Sequence, residues 1–176
     1  MLLKSYTKRI FRPVCNPIFE SVHCIADLDQ DVSKAIPYLN ASLGGFTCIQ
    51  DPPSVTFRLH GKLITVYGDR IAVNALKNEE EADKILAWMK GEINEAWEKR
   101  DQIQPSYESA PQPQMMEILK LLPRQRGCRA CGQPSCLVFA QLVIEGGRGP
   151  EDCPPMGEEA RQKARTYLAR FHFSGY

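Results

Sequence analysis

Hydrophobic and polar residues alternate regularly in the middle of the first hundred residues. In the segment VTFRLH, Val55, Phe57 and Leu59 alternate with polar residues, which predicts a strand with one buried face. The segments KLITVY and RIAVNAL follow, separated by His60-Gly61 and Gly68-Asp69, and both dipeptides suit tight hairpin turns. The pattern therefore predicts an antiparallel meander of about three strands.

Helical spacing replaces the alternation after the third predicted strand. Asn78 is a suitable N-cap, and Glu81 three residues later completes a capping box. Apolar residues then recur at helical intervals as far as Trp97, which predicts a long helix ending near Lys99-Arg100. A shorter helix is predicted upstream, ending at Gly44. We expect an α+β fold for residues 1–100, with helices packed on the sheet and the basic N-terminus as an exposed arm.

The segment DQIQPSYESAPQPQ, residues 101–114, is rich in proline, glutamine and serine and predicts an extended linker. It divides the chain into an α+β domain at 1–100 and a second domain at 115–176. The second domain is predicted to be small and helical, with helices from Met115 to Leu122, from Cys136 to Glu145 after a Ser135 cap, and from about Glu158 to Phe171.

Composition and charge narrow the functional classes. The net charge of +1 over 176 residues gives no electrostatic case for nucleic-acid binding. No apolar run approaches the roughly 20 residues that span a bilayer, and no signal-peptide pattern begins the chain. We therefore expect a cytoplasmic protein with no membrane partner. Seven cysteines in a compartment that keeps thiols reduced indicate metal or redox chemistry rather than disulfides.

Four of the cysteines have the spacing of a metal site. Cys128, Cys131, Cys136 and Cys153 form C-x2-C-x4-C-x16-C, followed directly by Pro154. Structural zinc sites usually take two close pairs, whereas three clustered cysteines and one distant Cys-Pro are typical of a 4Fe-4S cluster. This spacing favours the cluster, and zinc remains the alternative.

The segment LLPRQRGCRACGQPSCLVFAQLVIEGGRGPEDCPP resembles the small 4Fe-4S domain of the corrinoid iron–sulfur protein large subunit and of the Rnf complex B subunit. The resemblance covers about residues 115–157. It implies that Cys128, Cys131, Cys136 and Cys153 bind one 4Fe-4S cluster and that the domain passes electrons to a redox partner. It also implies an anaerobic setting. The chain departs from the family at Arg129, where glycine is more frequent.

Other candidate residues have weaker patterns. Cys15, Cys24 and Cys48 match no known ligand spacing and are interpreted as small buried hydrophobic residues, with a second metal site or redox-sensing trio, joined by His23, as the alternative. The arginines near the cysteines either offset the charge of a cluster or steer an acidic partner. His60 and His172 support no catalytic assignment.

The leading hypothesis is a soluble iron–sulfur protein that carries single electrons to a redox partner protein and is not an enzyme. Residues 1–100 are then expected to dock that partner or to form a homodimer. One alternative is an accessory or maturation protein that delivers electrons or a cluster to an anaerobic, corrinoid-type enzyme. The other is a zinc-stabilised interaction domain.

Overall fold

The structure is a computed structural model that describes residues 1–12, 21–59, 61–123 and 128–171. The described chain forms two compact units, and the division lies between Ala110 and Pro111. Each unit has its own hydrophobic core.

The first unit contains a six-stranded antiparallel sheet. Its strands are β1 (Tyr6–Phe11), β2 (Val22–Leu28), β3 (Thr47–Ile49), β4 (Ser54–Leu59), β5 (Lys62–Tyr67) and β6 (Arg70–Leu76). Their order across the sheet is β1-β2-β6-β5-β4-β3. The α+β class and the β4-β5-β6 meander are confirmed, whereas the prediction of about three strands is wrong.

The N-terminus is also not an exposed arm. Leu3 is fully buried, and the side chain of Asn94 bonds the backbone of Leu2 and Leu3 at 2.7–2.9 Å. The following residues form β1, which lies at the edge of the sheet and pairs with β2. Of the two basic residues in this strand, Arg9 is exposed, whereas Lys8 is half-buried and forms ion pairs with Glu79 and Asp83.

Two helices, α1 (Ile36–Leu43) and α2 (Glu79–Glu98), contribute the rest of the first core. α1 ends at Gly44, which has a left-handed φ of 69°, as the sequence predicts. Asn78 caps α2 by accepting from the Glu81 amide at 3.0 Å, and the Glu81 carboxylate accepts from the amide of Lys77 at 2.7 Å. The glutamates at this position are therefore helix-start residues, as expected.

Part of the predicted linker is hydrogen bonded to the first unit. Ser106 donates its amide to the carbonyl of Pro37 at 3.0 Å, and Ala110 donates to Gly45 at 2.7 Å. The side chain of Asn40, which is 2% exposed, donates to the carbonyls of Ser106 and Glu108. These contacts hold an extended segment along the unit as far as residue 110.

The second unit is helical. It comprises α3 (Met115–Leu121), α4 (Cys136–Ile144) and α5 (Glu158–Leu168), with short 3-10 turns at Pro150–Asp152 and Ala169–Phe171. All three helices agree with the predicted ones to within a few residues. Its core is small; the buried members are Ile118, Leu122, Phe139, Ala140, Val143, Cys153, Met156 and Ala164. Across the described residues of both units, no helix has the length and apolar character needed to cross a bilayer.

Candidate metal centre

Cys136 is positioned by the start of α4. Ser135 is extended and caps the helix, because its Oγ accepts from the amide of Val138 at 3.3 Å. Cys136 is thus the first helical residue, at the positive end of the helix dipole, where an anionic thiolate is favoured. This local geometry agrees with the sequence prediction.

Cys128 and Cys131 lie on a short turn before α4. Gly132 donates its amide to the carbonyl of Arg129 at 2.9 Å and has a φ of 76°, a conformation that side-chain-bearing residues rarely adopt. The glycine therefore lets the chain reverse directly after Cys131. Both cysteines are half-buried.

Cys153 is supplied by a second, distant turn. The carboxylate of Asp152 accepts from the amide of Gly149 at 2.8 Å, which closes the 3-10 turn before the cysteine. Cys153 then accepts at its carbonyl from the amide of Met156 at 3.0 Å. It is 5% exposed and belongs to the core of the second unit.

The fold brings the four cysteines into one neighbourhood. Cys131 and Cys136 pack against the core that contains Cys153. Burial raises the pKa of the Cys153 thiol, and the charges of Cys131, Cys136 and Cys128 raise it further. Binding of the Cys153 thiolate to a cationic metal centre would offset this rise.

The donor set fits an iron–sulfur cluster, because four thiols in one small unit are the ligands that such a cluster takes. Within the described ranges, no group of three or more His, Cys, Asp or Glu side chains is arranged so that it could hold a metal ion. The assignment of Cys128, Cys131, Cys136 and Cys153 as ligands therefore stays a prediction.

The basic residues predicted to surround the site differ in their contacts. Arg129 is exposed, and Arg148 forms an ion pair with Asp152 at 3.5 Å. Arg124 and Arg126 lie outside the described residues. Sequence reasoning missed Arg161 of α5, which bonds the carbonyl of Cys153 at 3.4 Å. No sequence signal pointed to it, since the contact depends on how α5 packs.

The remaining cysteines of the described chain are far apart. Cys24 is 1% exposed in β2, and Cys48 is half-buried in β3. Four strand spacings separate β2 from β3, which corresponds to about 19 Å at ~4.8 Å each. These two cysteines cannot share a metal ion in this sheet. Cys15, His60 and His172 lie outside the described residues.

Comparison with known proteins identifies the same region. Residues 122–155 match the family model described as "Putative Fe-S cluster". The gamma subunit of the acetyl-CoA decarbonylase/synthase complex of Methanopyrus kandleri is 37% identical over 54 residues, covering 31% of this chain and 12% of that relative. The B subunit of the ion-translocating oxidoreductase complex of Azoarcus sp. is 38% identical over 58 residues, covering 33% of this chain and 31% of that relative.

The similarity is therefore confined to a minor part of each relative, about a tenth of the gamma subunits. No solved structure matches the chain significantly. Within those limits the resemblance inferred from the sequence is confirmed for residues 122–155.

Proposed function

We propose that this protein binds one 4Fe-4S cluster through Cys128, Cys131, Cys136 and Cys153 and carries single electrons to a redox partner protein. The observation that carries the proposal is the packing of Cys131 and Cys136 against the core that contains the buried Cys153, inside the region that matches the iron–sulfur family model. When bound, such a cluster supplies a reversible one-electron couple.

The chain's own residues hold and shield the site. The turn at Gly132 and the Ser135 cap support the backbone of the three clustered cysteines, and the turn closed by Asp152 supports Cys153. Buried Phe139 and Val143 of α4 exclude water from the side of the site next to the core. Electron transfer requires ligands, a tuned environment and a docking face, so we assign no catalytic acid or base and propose that the protein is not itself an enzyme.

An accessory role in a larger enzyme is the second candidate. Its support is the identity of the relatives, which are subunits of the acetyl-CoA decarbonylase/synthase and ion-translocating oxidoreductase complexes. In this version the protein delivers electrons or a cluster to one enzyme of an anaerobic cytoplasm. The first unit then binds that enzyme or forms a homodimer.

The first experiment is anaerobic purification followed by iron, sulfide and zinc analysis and by EPR of the reduced protein. We expect about four irons and four sulfides per chain, a brown colour and a reduced-state signal. A colourless protein with one zinc per chain would contradict the proposal and favour the zinc-stabilised domain.

Ligand assignment is tested by single Cys→Ser variants. Cys128→Ser, Cys131→Ser, Cys136→Ser and Cys153→Ser are each expected to reduce cluster content severely. Cys24→Ser and Cys48→Ser are matched controls in the first unit and should retain the full iron content. Loss of iron in the controls, or retention in all four site variants, would contradict the assignment.

One transfer assay separates the two candidate functions. The loaded protein is incubated with an apo-ferredoxin, and iron is followed in both proteins after separation. Retention of the cluster through repeated reduction and oxidation supports the electron carrier. Intact transfer to the acceptor supports the maturation role.

A further inference from the structure

The first turn of α4 exposes apolar side chains immediately after Cys136. Leu137 is 57% exposed and Val138 is 38% exposed, although Phe139 and Ala140, the next two residues, are buried. We call these two side chains the Leu137–Val138 patch. Adjacent large apolar residues left in solvent beside a proposed redox site are suited to contact with another protein.

The sequence from residue 118 to residue 144, which includes this patch, is basic and contains no acidic residue. Residues 118–144 include Lys120, Arg124, Arg126 and Arg129 but no Asp or Glu, so this segment carries +4 in a chain whose net charge is +1. Residues 145–171 contain five acidic and five basic residues and are neutral. The excess positive charge of these two segments therefore lies entirely in residues 118–144.

Among the described cations of this segment, Arg129 is the one whose charge is available to a partner. Lys120 is paired with Glu117 at 2.6 Å. Arg129 is exposed and forms no ion pair within the described part of the chain. It lies on the turn between Cys128 and Cys131, so a partner that contacts it also approaches the proposed ligands.

We propose that the Leu137–Val138 patch and Arg129 form the docking surface for an acidic redox partner protein, in place of the docking role expected for residues 1–100. The inference rests on the proposed function and adds the chemistry of the partner. An apolar centre with a charged rim is the usual composition of a protein interface, and transient redox contacts are small enough for a few residues to dominate them. The exposed charge of Arg129 steers an acidic protein to this surface and accelerates its association.

A flavodoxin of acidic surface is the probe, and the full cluster-loaded chain is the donor. Electron transfer from the reduced chain is followed by stopped-flow absorbance at low and high salt. With wild-type protein we expect the second-order rate constant to fall roughly 10-fold or more between about 20 mM and about 500 mM salt, because screening weakens the steering. The same flavodoxin with its surface carboxylates amidated is expected to react more slowly and with little salt dependence.

Variants locate the surface. Leu137→Ser and Arg129→Glu are each expected to lower the low-salt rate constant about 5- to 10-fold. Arg170→Glu is the charge control, because Arg170 is also an exposed cation of the second unit that forms no ion pair among the described residues. Ile49→Ser is the apolar control, because it removes a similarly exposed side chain from β3. Both controls should react at the wild-type rate.

Several results would overturn the inference. Wild-type rates for Leu137→Ser and Arg129→Glu would do so, as would a rate loss in Arg129→Glu explained entirely by a changed reduction potential. A chain that is dimeric and dissociates on Leu137→Ser would make the patch a self-interface instead.

The docking surface can be tested separately from the proposed electron-carrier function. If the chain holds no reducible cluster, the surface is still tested by titrating the ¹⁵N-labelled full chain with the flavodoxin. Shift changes concentrated at Arg129, Leu137 and Val138 that disappear at high salt support the docking surface. Their absence overturns it, whatever metal the chain holds.

Discussion

The guanidinium of Arg161 donates a hydrogen bond from Nη2 to the backbone carbonyl of Cys153, at 3.4 Å. The same guanidinium faces the carboxylates of Glu158 and Glu151 at 3.4 and 3.5 Å. α5 is thus connected to the turn that supplies the distant cysteine through one partly buried arginine. Because Cys153 is the ligand most separated in sequence, we expect its position to depend on this contact.

Replacing Arg161 by glutamine should loosen the site. Loss of the hydrogen bond is expected to cost about 0.5–1.5 kcal/mol, which corresponds to roughly 2- to 10-fold faster release of iron to a chelator. Loss of a nearby positive charge should also lower the reduction potential, since a cation favours the more negative reduced state. Iron release is measured by absorbance, and the potential by an EPR-monitored titration.

Arg165→Gln is the matched control, because Arg165 pairs with Glu151 and Glu158 but is not bonded to Cys153. Arg161→Lys retains the charge and should keep the potential closer to wild type than Arg161→Gln does. Equal release rates for Arg161→Gln and Arg165→Gln would show that the contact with Cys153 has no positioning role.

Asn40 joins three separate parts of the first unit. Its Oδ1 accepts from the amide of Gly45 at 3.0 Å, while Nδ2 donates to Ser106 and Glu108 at 2.8 and 3.0 Å. A side chain on Gly45 would collide with Asn40 Oδ1 and Val55, so glycine is required for this close approach. The Gly44-Gly45 pair therefore has a structural explanation in helix termination and packing.

Asn40→Ala is expected to destabilise the first unit by about 1–3 kcal/mol, because it leaves the buried amide of Gly45 and the carbonyls of Ser106 and Glu108 without this partner. Both tryptophans of the chain lie in α2, so tryptophan fluorescence during urea unfolding reports on this unit alone. Amide exchange at residues 106–110 should accelerate. Ser42→Ala, on the exposed side of α1, is the control and should change the stability little. If amide exchange at residues 106–110 is unchanged in Asn40→Ala, Asn40 does not hold this segment on the first unit.

The sheet shows which parts of the fold were accessible from sequence. β4, β5 and β6 were predictable because alternation and turn dipeptides coincide there. β1 was missed because Lys8 and Arg9 follow one another in an edge strand, where polar side chains remain partly solvated. The pairing of β2 with β6 joins segments more than forty residues apart, and no local pattern specifies it.

The candidate site shows the same limit. The clustered cysteines and the Ser135 cap were predictable because spacing and capping are local properties. α4 is almost entirely apolar, so its periodicity did not indicate that Leu137 and Val138 face solvent while Phe139 is buried. The bond from Arg161 to Cys153 likewise requires the packing of α5.

The two helix caps give selective tests of the two units. Ser135→Ala should destabilise the second unit by about 0.5–2 kcal/mol, since the amide of Val138 loses its acceptor. Hydrogen exchange in α4 measures the effect, and tryptophan fluorescence should not change. Ser135→Gly should cost only a few tenths of a kcal/mol. Asn78→Ala removes the cap of α2 and should destabilise only the first unit. If Ser135→Ala destabilises the first unit, or Asn78→Ala the second, the two units do not fold independently.

Cys24 gives a test of the interpretation of the remaining cysteines. It lies in the core of the sheet, and burial raises the pKa of its thiol. Lys8 lowers this pKa, whereas Asp83 and Glu79 raise it. A buried thiol with a raised pKa is a poor nucleophile, which is unfavourable for a redox sensor.

The stability of the first unit should therefore depend on pH through Cys24. The folded state holds the thiol proton more tightly than the unfolded state, whose pKa is the ordinary value near 9. The resulting stabilisation is present below about pH 9 and is lost as the pH rises through the folded pKa. Urea midpoints followed by tryptophan fluorescence from pH 7 to pH 10 should fall more steeply for wild type than for Cys24→Ala. Cys48→Ala, at a less buried thiol, should alter the slope less. Parallel curves for wild type and Cys24→Ala, together with rapid alkylation of Cys24 in the folded protein, would mean that this thiol is accessible and ionised, as a redox-sensing cysteine requires.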